Sequence, residues 1–267
     1  MRPTIRIDDW LRLQKKSDDP AATVFVFHHA GGSSAPYRPI TDRLPAEWDV
    51  VFVDLPGRGH NGRAKPLTRM AEVVAQLVPR VVSVTDGPRV FFGHSMGAAI
   101  AHGVAAGTPA GQRPVWLGLS GAGPRRASAA PDRPASPHLD RGRIIGLLRQ
   151  LGGTPEAVFE NRELLEYAVT LLHADLLTLA DCTAPAAQLA SPISVFGGAE
   201  DATAPVAELR GWEAFTDAAL RLHRWPGGHF YLFDHPAALA ARMAEDIADA
   251  LNGRSGPAPE QVASTRV

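Results

Sequence analysis

The eleven residues from Val90 to Ile100 constrain this chain more than any others. They read as an apolar strand, a turn that sets Ser95 between Gly93 and Gly97, and a helix opening on Ala98 and Ala99. This is the G-x-S-x-G pattern in the strand–turn–helix context that gives it chemical meaning. A serine at the apex of so sharp a turn is forced into a strained backbone conformation. That is tolerable only where the residues two positions away carry almost no side chain. Gly93 and Gly97 meet the requirement, and the two alanines let the helix pack close to the sheet. The turn lifts the Ser95 hydroxyl clear of the sheet, and the helix N-terminus favours developing negative charge. The same letters could spell a plain glycine-rich turn, so the rest of the chain must supply chemical partners.

With 267 residues the chain can bury a substantial core, and 45% hydrophobic with 21% charged residues suits a globular protein. A formal net charge of -1 gives no electrostatic case for binding nucleic acid or an anionic membrane. Cys182 stands alone, which excludes an intramolecular disulfide and fits a reducing compartment. Met1 to Pro20 are charged and lack the apolar core of a signal peptide. No stretch approaches the ~20 apolar residues of a membrane span. The expected location is the cytoplasm.

Residues 1–20 are polar apart from Trp10, Leu11 and Leu13, and are expected to lie across the surface. Thr23 to Phe27 and Trp48 to Val53 are continuous apolar runs, as in strands buried on both faces. A short helix is expected over 39–44. A longer one is expected over 67–84, where Pro79 marks a kink or a boundary. The strand and helix of the Ser95 turn follow, then another strand over Val115 to Ser120. Strands alternating with helices predict an α/β fold with a mostly parallel, doubly wound sheet. From Gly121 the character changes to an irregular stretch and two helical patterns with no strand between them. The core is therefore assigned to 1–120 and 191–252, with a helical insertion over 121–190. Residues 253–267 hold few large apolar groups and are expected to be a disordered tail. Leu147, Leu148, Phe159, Leu171, Leu172 and Leu176 of the insertion are candidates to line a substrate channel. Most of them must also give the insertion a core of its own.

A serine hydroxyl needs a base to remove its proton and a third group to orient that base. In sheet hydrolases these arrive in the order Ser, acid, His, each on a loop after a strand. Ile193 to Phe196 run into Gly197-Gly198-Ala199-Glu200-Asp201, and Leu220 to Trp225 run into Pro226-Gly227-Gly228-His229. The candidates are thus Ser95, Asp201 and His229. Glu200 and then Asp54 compete for the acid, and Asp201 is favoured because the acid usually turns inward one position later. Asp54 is expected to hydrogen-bond amides of its own glycine-rich loop. His94 should point away from the Ser95 hydroxyl and pack beneath the turn, while His28 and His29 could line the pocket. His60, His138, His173 and His223 read as solvent or core residues. The oxyanion donors expected are the backbone N–H groups of Met96 and Ala30, the latter in His-Ala-Gly-Gly. No phosphate loop and no spacing typical of a metal site is found.

From Val24 to Asp234 the chain resembles the type II thioesterases of the α/β-hydrolase fold, the discrete editing enzymes that accompany polyketide and nonribosomal peptide synthases. The resemblance rests on His29-Ala30-Gly31-Gly32-Ser33, Asp54-Leu55-Pro56-Gly57-Arg58-Gly59, Gly93-His94-Ser95-Met96-Gly97 and Ala174-Asp175, with the two loops that carry Asp201 and His229. Two positions depart from the family pattern. His28 stands where proline is common, and His173 where arginine is common. The first bears on the entrance to the oxyanion loop, the second on the insertion's contacts. The resemblance implies a helical lid and hydrolysis of acyl thioesters on the phosphopantetheine arm of a carrier protein, with no resident cofactor. Spacing alone supports only a serine hydrolase. An esterase or lipase acting on small free esters, an acyltransferase and a non-catalytic binding module are the competing readings.

Overall fold

Apolar side chains at successive strand positions point alternately to opposite faces, so an unbroken apolar run requires cover on both. In the computed structural model, which describes residues 3–125, 140–151, 154–183, 187–254 and 261–262, that cover is present. The strands are β1 (Ile5–Arg6), β2 (Leu11–Gln14), β3 (Ala22–Phe27), β4 (Trp48–Val53), β5 (Arg89–His94), β6 (Trp116–Ser120), β7 (Ile193–Gly198), β8 (Leu220–Trp225) and β9 (Gln261–Val262). They form one nine-stranded sheet in the order β1-β2-β4-β3-β5-β6-β7-β8-β9. The pairs from β4 through to β9 are parallel, while β1–β2 and β2–β4 are antiparallel.

The helices are α1 (Arg38–Thr41), α2 (Met70–Val84), α3 (Met96–Gly107), α4 (Arg141–Leu151), α5 (Glu156–Glu160), α6 (Arg162–Ala180), α7 (Val206–Leu209), α8 (Tyr231–Asp234) and α9 (Pro236–Leu251). Phe25, Phe27, Val51, Val53 and Phe91 face α2 and α3, against Val73, Leu77, Ile100 and Val104. Their neighbours Val24, Val26, Val50, Phe52 and Val90 face the other way, against Ile40 of α1 and Leu239, Met243 and Ile247 of α9. Each such side chain contributes about 1.5–3 kcal/mol on burial. The helices α4–α6 follow β6 and precede β7, and Ile144, Leu148, Val169 and Leu172 form a third apolar cluster among them. No helix among the described residues is long and apolar enough to cross a membrane.

Several expectations need correction. Residues 1–20 do not simply cross the surface: β1 and β2 extend the sheet, and Trp10 and Leu11 are buried. α2 begins at Met70 and runs through Pro79 without ending there. Pro79 is exposed, so the carbonyl left without its helical partner can be hydrated. In the tail, Gln261–Val262 pair with His223 and Arg224 of β8. Residues 255–260 and 263–267, His138 and most of the irregular stretch after Gly121 lie outside the described residues.

β5 sits inside the sheet and continues directly into α3 through Ser95, whose φ of 56° is the only positive value at a non-glycine among the described residues. A Cβ on Gly93 would collide with the Gly97 carbonyl, and one on Gly97 with the Phe27 carbonyl oxygen. Gly97→Ala is therefore expected to destabilise the fold by about 3 kcal/mol or more, since backbone rather than a movable side chain must yield. Urea denaturation of that variant beside wild type measures it; a loss below about 1 kcal/mol would show that strand and helix separate easily here.

Candidate active site

Because β5, β6, β7 and β8 are parallel neighbours, the loops at their C-terminal ends lie side by side. Ser95 follows β5, Asp201 follows β7 and His229 follows β8. Cross-links keep the last two loops in register: Ala199 N–H donates to Trp225 O at 2.8 Å, and Glu200 N–H to Gly227 O at 3.1 Å. His229 Nε2 stands 3.0 Å from Ser95 Oγ, and His229 Nδ1 stands 2.7 Å from Asp201 Oδ2. The three residues chosen from the sequence are thus brought into one hydrogen-bonded chain.

The environment sets the direction of that chain. Burial pushes the Asp201 carboxyl up, but hydrogen bonds from His229 and Thr203 outweigh it and hold the group below the usual carboxylate range. An ionised Asp201 can only accept, so Nδ1 of His229 carries the proton and Nε2 presents its lone pair to the Ser95 hydroxyl. Glu200 makes a different contact: its carboxylate accepts from Gly227 N–H, on the loop that carries His229. Asp54 also departs from expectation. It accepts from Ser34 N–H at 2.7 Å and Ser34 Oγ at 3.0 Å, tying the loop after β4 to the loop after β3 instead of folding on its own loop.

Sequence reasoning missed several residues. Thr203 donates from Oγ1 to Asp201 Oδ1 at 2.6 Å, and the same oxygen lies 3.0 Å from His229 Nδ1. An Asp-x-Thr step after a strand is a local pattern that could have revealed it. Beneath the triad, Ser120 Oγ lies 2.8 Å from His94 Nδ1 and 2.8 Å from Tyr231 Oη. His94 is fully buried, its ring centroid 4.9 Å from that of His229, so it does pack under the turn. Burial, then the proximity of His229 and His29, holds His94 well below the ordinary imidazole value.

Among the described residues, neither the Met96 nor the Ala30 backbone N–H donates to a protein acceptor. Met96 opens α3, where an unpaired amide is expected. His28, at the departure from the family pattern, has Nδ1 2.8 Å from the His29 carbonyl oxygen and Nε2 3.4 Å from Leu55 N. A proton on Nδ1 satisfies both contacts.

A cavity of about 330 Å³ opens beside this loop. Its walls include Ala30, Gly31, Arg58 and Phe230 of the core and Leu148, Val158, Leu164, Ala168, Leu171 and Leu172 of the insertion; Ser95 borders no part of its lining. Leu148, Leu171 and Leu172 line this cavity, Leu148 and Leu172 also belong to the insertion's own apolar cluster, and Leu147, Phe159 and Leu176 pack against that cluster. A larger apolar cleft of about 560 Å³ between α2, α3 and the end of α6 carries none of the triad.

Residues 22–249 match the family model of the thioesterase domain. The chain belongs to the thioesterase family. It is 32% identical over 259 residues to a probable cadicidin biosynthesis thioesterase of Streptomyces griseus, covering 92% of this chain and 69% of that protein. It is 33% identical to thioesterase PikA5 of Streptomyces venezuelae, covering 84% of this chain and 80% of the relative. Among solved structures, the type II thioesterase BorB from the borrelidin biosynthetic cluster superposes with a TM-score of 0.75 at 31% identity, over 92% of this chain and 99% of BorB. The fold of this thioesterase is thus the α/β-hydrolase fold of its relatives, and its chemistry is thioester hydrolysis.

Three histidines of this thioesterase, His28, His94 and His102, are buried at 1%, 0% and 1% exposure. Burial lowers His28 to about 3 and His102 to about 4, and lowers His94 as well. All are neutral in the fold, whereas the unfolded chain protonates them below about pH 6.5. Their contribution is whole above that pH and is lost as pH falls toward 4, by up to about 1.4 kcal/mol per pH unit for each. Asp201, with its depressed carboxyl, adds a loss only below its ordinary range near 3.8. Unfolding free energies should therefore fall steeply between pH 7 and 5, and His102→Leu should flatten the slope. A level profile across that window would contradict the neutral burial of these rings.

Proposed function

We propose that this thioesterase is a discrete editing enzyme that removes acyl groups from the phosphopantetheine arm of a synthase's carrier protein. The reading rests on one observation above all: Ser95 on its strained turn, His229 and Asp201 form a single hydrogen-bonded chain. It is supported by a relative named as a probable cadicidin biosynthesis thioesterase and by a structural neighbour named as a type II thioesterase from the borrelidin biosynthetic cluster.

In the proposed reaction His229 Nε2 takes the Ser95 proton as Oγ attacks the thioester carbonyl. The oxyanion is received by the Met96 and Ala30 amides, while Asp201 stabilises the imidazolium and keeps its orientation. The C–S bond breaks, the thiol departs with the proton from His229, and an acyl-Ser95 ester remains. His229 then removes a proton from water, hydroxide adds to the ester carbonyl, and Ser95 leaves reprotonated with release of the free acid. These steps draw on side chains, amides and water, with no resident cofactor. The helices α4–α6 act as a lid.

The decisive experiment offers one short acyl group on a carrier protein's phosphopantetheine, on a small free thiol and as a nitrophenyl ester. A higher kcat/KM for the carrier-bound form is expected. Equal or faster turnover of the free ester would replace the proposal with a general esterase, and acyl transfer to an added alcohol or amine would make it an acyltransferase. Ser95→Ala and His229→Ala should each lower kcat by about 10⁴–10⁶, and Asp201→Asn by about 10⁴, with the fold retained. Full activity in Asp201→Asn alongside loss in Glu200→Gln would assign the acid to Glu200.

A further inference from the structure

The Ala30 amide precedes two adjacent glycines, Gly31 and Gly32, the first at φ 71°. A Gly-Gly step has the widest conformational freedom a chain can have, so an amide beside it points nowhere in particular unless that step is tied down. It is tied by a buried ion pair from two other parts of the chain. Arg58, on the loop after β4, donates from Nη1 to Asp175 Oδ2 at 2.8 Å and from Nη2 to Asp175 Oδ1 at 2.9 Å. Asp175 lies on α6, and the two side chains are 2% and 1% exposed. The same Asp175 Oδ2 accepts the Gly31 N–H at 2.7 Å, and the same Arg58 Nη1 donates to the Gly32 carbonyl at 3.2 Å.

A buried ion pair is a poor device for stability alone, because an apolar pair of similar volume is often as good or better. What an apolar pair lacks is the ability to fix two peptide dipoles at once. The remaining side of the loop is held as well: the His29 carbonyl accepts from Gly32 N–H at 3.2 Å and from His28 Nδ1 at 2.8 Å. Since the peptide bonds are trans, the Ala30 N–H points opposite to that engaged carbonyl, away from the loop's own hydrogen bonds.

α6 is itself fastened along one side to the segment that carries Arg58. Tyr167 Oη donates to Gly57 O at 2.8 Å, Thr178 Oγ1 to Leu67 O at 3.1 Å, and Met70 N–H to Asp181 Oδ2 at 3.1 Å.

We propose that Arg58 and Asp175 are positioning residues for the oxyanion hole, locking Gly31–Gly32 so that the Ala30 N–H is aimed at the developing charge. The oxyanion hole is then complete only when α6 is seated, which couples the lid to the chemical step. The proposal rests on the reading of Ser95 as nucleophile and Ala30 as oxyanion donor.

The test uses the full chain, a nitrophenyl ester as substrate and an alkyl boronic acid as transition-state analogue. Two variants are compared with wild type. Asp175→Asn keeps an oxygen for Gly31 but loses the ionic grip. The double variant Arg58→Met with Asp175→Leu removes both charges and leaves none buried alone. The double variant should lower kcat by about 10²–10³ with KM changed less than about twofold, and should weaken the boronic acid by the same factor. Asp175→Asn should show smaller, parallel losses, and it decides the matter if the double variant does not fold. A folded variant with wild-type kcat, or one whose loss falls on KM while the boronic acid binds as before, overturns the clamp. Ester turnover that survives Ser95→Ala would instead overturn the reading of the site, and the clamp with it.

Discussion

The left-handed backbone at Ser95 is the constraint on which the other parts depend. A side chain at φ 56° is costly, and it persists only where the surroundings leave no alternative. Here β5 holds one end from inside the sheet, α3 packs on the other, and Ser95 N–H donates to Ser120 O at 2.7 Å. Glycine at 93 and 97 lets strand, helix and the end of β3 approach to a distance that any Cβ would forbid. The hydroxyl is thereby fixed in space before any partner arrives. Asp201, His229 and Ala30 can then be supplied by loops, provided that those loops leave the same edge of the sheet. Parallel strands satisfy this condition.

Electrostatics around that hydroxyl follow one logic. The layer below His229 contains a histidine, a serine and a tyrosine linked by contacts of 2.8 Å, and the histidine is neutral because it is buried. A charged His94 only 4.9 Å from the His229 ring would oppose protonation of that ring. Among the described residues, the carboxylate in contact with His229 is Asp201, on the side away from Ser95. Negative charge therefore lies on the side of the His229 ring opposite the serine hydroxyl.

The insertion serves two physical purposes with one helix. Leu164, Ala168, Leu171 and Leu172 of α6 wall the cavity, while Tyr167, Asp175, Thr178 and Asp181 fasten that helix to residues 57–70. An apolar wall alone could shift with little penalty. A bidentate ion pair with 2% and 1% exposure cannot, since parting it would strand two charges away from water.

Much of the site was legible in the sequence because its determinants are local. Gly93-His94-Ser95-Met96-Gly97 carries its own geometry, and unbroken apolar runs announce strands covered on both faces, so the order Ser95, Asp201, His229, each after a strand, was readable. Strands β1 and β2 were not, because their few residues mix charge with apolar groups and gain strand form only by pairing, β2 with β4 and β1 with β2. Asp54 was assigned to its own loop since local turns are all that a sequence displays, and its actual partner Ser34 lies 20 positions away. The meeting of Gly31, Arg58 and Asp175 was equally invisible, with 117 positions between the arginine and the carboxylate. Local sequence determined the nucleophile's turn, the strands and the residues eligible for chemistry. Tertiary structure alone decided which buried charges and amides face one another, because those pairings depend on the path of the chain through space and leave no periodic trace along it.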